Sequence, residues 1–588
     1  MAEALSVSRH LPLIAGAGMF AAIALIPLVG SAYVVSLAFA ALVAFVLAQS
    51  WDWIGGEAGY VNLGHFVFYG LGAYVFCILL VRGVPLPLCF ALAGIVVGAI
   101  AALLALPLFR LHGDYFAFAT LALLPLAELL AFNLTPLTGG ADGIVLPPHY
   151  VLVPALLLAT ALSAVTAYTT GVLTRSRFGY VLKSIRNDEL AAEVVGVRVF
   201  VAKLKVLVLS AFFAALAGGV SAWQLSYIDP PTVFGLSTAL VPVAMALLGG
   251  TGMRWGPLVG VILLFTLQQW LLVNVTVLQA TIYGVVILLI GRFMPGGLLR
   301  AAFIKRVPLL REIAHEHHVS IDKPTVEDLR LRGLPLPAPS VRTGQPLLEC
   351  RGLTMAFGGN VAVNGVNLSV RQGEIVGLVG ANGSGKTTMF NCISKVYEPK
   401  GELIFAGQSL RGLRRDEVSR LGVGRTFQIP RPFGDLTVAE NIAVALANRS
   451  ETMPMHEALA GAADFAVYVG LGNTLSTRAD ALTLQQKKSL ELARALALKP
   501  KLLLVDEVAS GLTPAEVKRF VSHIKTLREQ YGMTVIWVEH IFSALAETVD
   551  RLVVLEQGSI IADAPLAEAV RDERVLKSYL GTAPAGVA

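Results

Sequence analysis

Gly380-Ala381-Asn382-Gly383-Ser384-Gly385-Lys386-Thr387-Thr388 fits the pattern G-x-x-x-x-G-K-[ST], with a second Thr after it. The apolar run Ile375-Val376-Gly377-Leu378-Val379 precedes it and reads as a buried strand. Glycines at these positions let successive backbone N–H groups close around phosphate oxygens. Lys386 reaches the outer phosphates, and the Thr387 hydroxyl is placed to ligand Mg²⁺. A strand, a phosphate loop and a helix in this order imply an α/β nucleotide-binding domain.

Further elements downstream suit the same chemistry. Leu502-Leu503-Leu504-Val505-Asp506-Glu507 is an apolar strand that ends in two carboxylates. Asp506 can hold Mg²⁺ through water, and Glu507 can act as general base on the attacking water. Val535-Ile536-Trp537-Val538-Glu539-His540 is a second apolar strand, ending in a histidine that can contact a γ-phosphate. Gln428 follows Gly424-Arg425-Thr426-Phe427 and precedes Pro430 and Pro432, a loop position from which it can sense Mg²⁺ and the γ-phosphate. Outside such a set, a strand-end histidine is usually structural and a loop glutamine is uninformative.

The first half of the chain is of another kind. Hydrophobic residues make up 55 % of the 588 residues and charged residues 15 %, against about 25 % charged in soluble domains. Between Leu11 and Phe109 the Asp, Glu, Lys and Arg residues are Asp52, Glu57 and Arg82; between Ala239 and Gly291 there is Arg254 alone. Such runs exceed the ~20 residues a membrane helix needs. About ten spans are expected, near 11–32, 34–50, 62–81, 86–108, 115–134, 150–173, 204–224, 237–250, 257–275 and 277–293. The eighth is short enough to be re-entrant, and the first is too long, and too plainly followed by others, for a cleaved signal peptide. Arg175, Arg177, Lys183, Arg186, Arg198, Lys203 and Lys205 crowd the loop after the sixth span, and Arg292, Arg300, Lys305, Arg306 and Arg311 follow the last. Both clusters face the cytoplasm if four spans separate them. The net charge of +6 is explained by this bias and calls for no nucleic acid.

Residues 301–346 read as a cytoplasmic linker between a transmembrane domain over 1–300 and an ATPase domain over 347–588. The Leu334-Pro335-Leu336-Pro337-Ala338-Pro339 run should be extended. His315-Glu316-His317-His318 suits a solvated linker helix better than a metal site, since no second ligand pair is near in sequence. Cys77, Cys89, Cys350 and Cys392 form no C-x-x-C pair and read as small buried residues; Cys77 and Cys89 flank one outer loop, which leaves a disulfide open.

Residues 347–583 resemble the ATP-binding-cassette ATPases. The resemblance implies ATP and Mg²⁺ as cofactors, with Gly380, Asn382, Gly383, Ser384, Gly385, Lys386, Thr387 and Thr388 on the phosphates and Phe357 stacked on adenine. It implies Thr387, Gln428 and Asp506 around Mg²⁺, Glu507 as catalytic carboxylate and His540 as the switch histidine. The family sandwiches ATP between one phosphate loop and the signature loop of a second cassette. Its signature pattern is L-S-G-G-Q; here the aligned residues are Leu482-Thr483-Leu484-Gln485-Gln486. Thr483 keeps a hydroxyl, but both glycines are gone, and Gln485 puts a long side chain where a backbone would approach phosphate. Thr513 stands where the family usually has Asp. The implied trans site therefore rests on Thr483, Gln485 and Gln486 and departs from the pattern.

Residues 35–300 resemble the permease subunits of branched-chain amino acid ABC importers, on Gly59-Tyr60-Val61-Asn62-Leu63-Gly64-His65, Gly113-Asp114-Tyr115-Phe116-Ala117, Leu137-Thr138-Gly139-Gly140-Ala141-Asp142-Gly143 and Leu248-Gly249-Gly250-Thr251-Gly252. The chain thus resembles a permease fused to its ATPase, with ATP hydrolysis coupled to solute uptake. By the same resemblance Asp188, Glu189, Ala192 and Gly196 lie on a short cytoplasmic coupling helix that Gly196 ends. Glu128, Asn133 and His65, with Gln268 and Gln269, are polar groups within spans; interhelical hydrogen bonding and a solute path are their two readings. Implied partners are membrane lipid, an extracytoplasmic solute-binding protein, and either a second permease and ATPase or a second copy of the chain. The implied location is a bacterial inner membrane, multi-pass, with the ATPase in the cytoplasm. The competing readings are an exporter half-transporter and a membrane-tethered ATP-binding regulator that moves nothing.

Overall fold

The computed structural model describes residues 16, 18–147, 151–274, 279–293, 296–300, 334–336, 346–449, 452–539, 542–569 and 571–572. They fall into two compact units. One comprises Met1–Leu182 with Phe200–His317; the other comprises Lys183–Val199 with His318–Ala588. His315–His318, His540 and most of the 301–346 segment lie outside the described residues.

The first unit is helical. Among the described residues six helices are long and apolar enough to cross a membrane: Ala32–Glu57, Leu86–Leu108, Asp114–Asn133, Leu152–Arg175, Val199–Leu225 and Pro230–Gly249. Phe66–Val81 and Gly256–Leu272 are apolar but shorter. Leu103, Phe118 and Leu129 stand exposed on these helices, as side chains facing lipid do. An apolar run overstates the helix within it. In the run from 62 to 81 the helix begins at Phe66, because Asn62 is used by a turn: its carbonyl accepts from Trp51 Nε1 at 2.7 Å and its side chain from Gly64 N at 3.1 Å. The helix from Ala32 also passes into a π-helical turn over Trp53–Glu57. All four cysteines are buried and free.

His65 is 3 % exposed. Its ring lies 3.0 Å from Ser50 Oγ and 3.4 Å from Ser210 Oγ. Asn133 is exposed and donates to Leu129 O at 2.7 Å, one turn back on its own helix. Glu128, Gln268 and Gln269 are half-buried. The structure does not bring Glu128 or Asn133 into contact with His65.

The second unit contains the short helix α1 (Glu189–Val194) and the half of the chain from residue 346 on. Two sheets build that half. Strands β1 (Pro346–Phe357), β2 (Asn360–Arg371), β4 (Lys400–Phe405) and β5 (Gln408–Ser409) form an antiparallel sheet in the order β2-β1-β4-β5. The larger sheet runs β10-β9-β3-β8-β7-β6, where β3 is Ile375–Val379, β6 Val423–Arg425, β7 Leu502–Asp506, β8 Thr534–Val538, β9 Arg551–Glu556 and β10 Ser559–Pro565. It is parallel except for the antiparallel β9–β10 edge. Strands β3, β7 and β8 are buried along their whole length, which is why they read as unbroken apolar runs. The longer helices of this half are α2 (Lys386–Ile393), α3 (Arg415–Leu421), α4 (Val438–Arg449), α5 (Met455–Tyr468), α6 (Leu484–Ala497) and α7 (Pro514–Tyr531). In the register, Val538 pairs with both Leu378 and Asp506. The phosphate loop, Glu507 and the end of β8 therefore meet at one edge, the carboxyl ends of parallel strands, where such sheets bind ligands.

Candidate functional site

Residues 380–385 connect β3 to α2. Gly380 has φ +151° and Gly385 φ +105°; a Cβ at either would run into a backbone carbonyl, of Leu555 and Ala362 respectively. These two glycines are required by space as well as by torsion. Beside Gly383 there is no atom within 4 Å of where a Cβ would stand, so the loop is open on that side. Lys386 is 5 % exposed, and its Nζ donates to Gly380 O at 2.8 Å and Ala381 O at 2.9 Å. Burial lowers the Lys386 ammonium pKa, while the Glu507 and Asp506 carboxylates oppose the shift. Ser384 Oγ is buried without a hydrogen-bond partner among the described residues. An orphaned hydroxyl at the start of a helix whose N-cap has no side chain suits an anionic ligand.

Asp506, at the end of β7, is fully buried. Its Oδ2 lies 3.5 Å from Arg425 Nη2, and its Oδ1 has no hydrogen-bond partner among the described residues. Burial pushes its carboxyl pKa up, and Arg425 partly offsets this. A buried carboxylate oxygen left over in this way suits a cation or its water. The donor set of Asp506, the Thr387 hydroxyl and the Gln428 amide is oxygen-rich, as Mg²⁺ requires.

Glu507 stands at φ +44°, an uncommon conformation for a residue other than glycine. Its N–H donates to Val538 O at 2.9 Å, and its Oε2 accepts from Gln428 Nε2 at 2.5 Å. Gln428 is brought there because Thr426 bridges β6 and β7: its N–H donates to Leu504 O at 2.9 Å and its Oγ1 accepts from Asp506 N at 3.2 Å. Phe357, at the end of β1, is 44 % exposed and packs edge-on against Tyr397 at 5.0 Å.

Arg425 was not among the candidate residues read from the sequence. Its Nη1 donates to Asn391 Oδ1 at 2.7 Å and Ser394 Oγ at 2.8 Å, and its guanidinium lies over Phe427 at 5.3 Å. Its position at the end of β6, three residues before Gln428, was the available signal.

At the start of α6, Thr483 and Gln486 cap each other. Thr483 Oγ1 accepts from Gln486 N at 3.3 Å, and Gln486 Oε1 accepts from Thr483 N at 3.0 Å. The hydroxyl and the amide are thus already engaged. Leu484 is 50 % exposed, and Gln485 lines a cleft between α6 and α7 together with Glu516, Arg519 and His523. Thr513 caps α7 with Glu516, through bonds of 2.7 and 2.8 Å.

The 183–199 segment packs with α3 and with the loop beyond Gln428. Asp188 caps α1 by accepting from Ala191 N at 2.8 Å and pairs with Arg431 at 3.0 Å. Glu193 pairs with Arg415 at 2.5 Å, Ser419 Oγ donates to Val194 O at 2.6 Å, and Arg420 donates to Gly196 O at 3.1 Å. Ala192 is fully buried, and Glu189 opens the helix. Gly196 has φ +85° just past the helix end, which glycine adopts without strain.

Residues 33–291 match the family described as "Branched-chain amino acid transport system / permease component", and residues 363–510 match "ABC transporter". The high-affinity branched-chain amino acid transport ATP-binding protein BraF of Pseudomonas aeruginosa is 39 % identical over 254 residues, which cover 41 % of this chain and 99 % of that protein. Its counterpart LivG of Escherichia coli K12 is 37 % identical over 253 residues, 41 % of this chain and 99 % of LivG. The methionine import ATP-binding protein MetN of Brucella abortus is 32 % identical over 227 residues, 38 % of this chain and 61 % of MetN.

Proposed function

Because the chain belongs to the branched-chain amino acid ABC import family, with a permease and an ATPase in one polypeptide and ATP hydrolysis coupled to transport, we propose that it takes up branched-chain amino acids or related small solutes across a bacterial inner membrane. The fusion of the permease match to the cassette carries this reading. It disfavours an exporter half-transporter. The six long apolar helices make the chain a membrane protein. Counting with them Phe66–Val81, Gly256–Asn274, Gln279–Phe293 and the N-terminal apolar run, about ten spans are proposed. The proposed division is a permease over 1–300, a linker over 301–346 and a cassette over 347–588.

In the proposed mechanism the 380–385 backbone N–H groups and Ser384 Oγ hold the phosphates, and Lys386 turns from its own carbonyls to the outer phosphate oxygens. Thr387, Gln428 and Asp506 would hold Mg²⁺, which neutralises charge on the phosphate oxygens. Glu507 takes the proton from the attacking water while Gln428 fixes the carboxylate that receives it. Phe357 stacks on the base, and His540 contacts the γ-phosphate. The 188–196 segment, held by Arg415, Ser419, Arg420 and Arg431, passes cassette movement to the permease. Two cassettes are needed for a composite site, so a second copy or a separate permease and ATPase completes the assembly, with an extracytoplasmic binding protein delivering solute.

The test is ATP-driven uptake of labelled leucine into vesicles that hold the assembled transporter with its binding protein. Hydrolysis stimulated by loaded binding protein is expected, and a rate indifferent to every loaded binding protein would leave only a tethered regulator. A Gly196→Val variant, strained at φ +85°, should keep ATPase activity and lose uptake.

A further inference from the structure

A buried lysine ties the start of α6 to the loop that follows Glu507. Lys488 sits one turn into α6 and is 5 % exposed. Its Nζ donates to Val508 O at 2.7 Å and also to Ser510 O. A buried ammonium is costly unless its donors are used, and these carbonyls use two of its three. Burial lowers its pKa, and the nearby Glu539 and Glu507 carboxylates oppose that shift. The loop is held from its other side as well, since Glu539 Oε1 accepts from Ala509 N at 2.7 Å. Leu484 adds an apolar contact: its Cδ2 lies 3.4 Å from where a Cβ on Gly511 would stand.

The same helix grips the loop beyond Gln428. Glu491 Oε1 accepts from Arg431 N at 2.9 Å, and Arg494 Nη1 donates to Arg431 O at 2.8 Å. Both side chains are 2 % exposed. Arg431 is thereby fixed by its backbone on both sides, whereas the 508–510 loop is joined to α6 by polar contacts from Lys488 alone among the described residues. Gln428 and Glu507 meet where these two loops begin. A packed helix moves as a body, so a shift of its N-terminus is delivered to the 508–510 loop through Lys488.

We propose that Lys488 is a positioning residue: it makes the loop after Glu507 follow the N-terminus of α6, so that a phosphate seated against Thr483 in one composite site sets the Glu507 loop serving the other. This rests on the head-to-tail reading of two cassettes given above. Lys488 acts through the backbone of Val508 and Ser510.

The experiment compares Lys488→Met, which keeps the stem and removes the donors, with Lys488→Arg, which keeps donors, in the assembled transporter. Lys488→Met should bind nucleotide within about twofold of wild type while turnover falls about tenfold and the Hill coefficient for ATP falls toward one. Lys488→Arg should restore most of the turnover and the cooperativity. The proposal is overturned by a wild-type Hill coefficient of one, or by Lys488→Met that keeps wild-type cooperativity. It is also overturned if turnover falls only in proportion to the folded protein, as a merely structural role requires. Glu507→Gln run in parallel separates the two levels. Normal hydrolysis there would sink the reading of the site itself, whereas a hydrolysis-dead Glu507→Gln beside a cooperative Lys488→Met would sink the lysine proposal alone.

Discussion

At the start of α2 the N-cap Gly385 has no side chain to offer, and Ser384 Oγ beside it is buried without a partner among the described residues. At the start of α6 Thr483 and Gln486 satisfy each other's backbone N–H groups at 3.3 and 3.0 Å. Every helix begins with N–H donors that its own ladder cannot use. At α2 they are left for something outside the chain, and at α6 the chain consumes two of them itself. The first arrangement suits phosphate binding. The second gives the helix end a cap from the chain's own side chains. In an assembly of two copies both composite sites would carry the second arrangement; with a different partner only one would.

The largest expected effect tests the α2 side. Glu507→Gln should bind ATP normally yet hydrolyse it about 10²–10⁴-fold more slowly, as loss of a general base does. A purified variant with an unchanged rate removes Glu507 from that role. Next, Lys386→Ala should weaken nucleotide affinity about 10- to 100-fold, the scale of a lost charge-assisted hydrogen bond. Affinity that stays put in an equilibrium titration would mean that Lys386 serves its own loop carbonyls and little else.

The next two predictions test α6. Leu484→Gly combined with Gln485→Gly should raise ATPase turnover about threefold, within the range of one recovered hydrogen bond. An equal or lower rate, in a variant that still assembles, would show that the altered loop does not limit hydrolysis. Gln486→Ala should have the smallest effect, a melting temperature lowered by about 2–4 °C through loss of a cap with little change in turnover. If turnover collapsed instead, Gln486 would be contacting nucleotide and the comparison of the two helix starts would have to be redrawn.

Legibility in the sequence followed distance along the chain. The strand, loop and helix from Ile375 to Ile393 are contiguous, and so are the apolar strand and the carboxylates from Leu502 to Glu507. Arg425 is different, because its partners Asn391, Ser394 and Asp506 lie 34, 31 and 81 residues away. Lys488 reads in sequence as one of many helix-surface lysines; only the approach of Val508 and Ser510, 20 and 22 residues on, shows it buried and committed. The apolar runs of the permease half announced helices, but the ends of those helices depended on contacts such as Trp51 with Asn62.

Local chemistry alone determined that this chain has an apolar helical half and a phosphate-binding half. Those features depend on composition, on strand and helix periodicity and on a nine-residue loop, all of which act between near neighbours. The tertiary structure decided which side chains face one another across the strand ends, which oxygens remain unpaired in the site, and which lysine joins α6 to the loop after Glu507. Those depend on burial and on hydrogen bonds between remote segments, which exist only once the sheet has set its register.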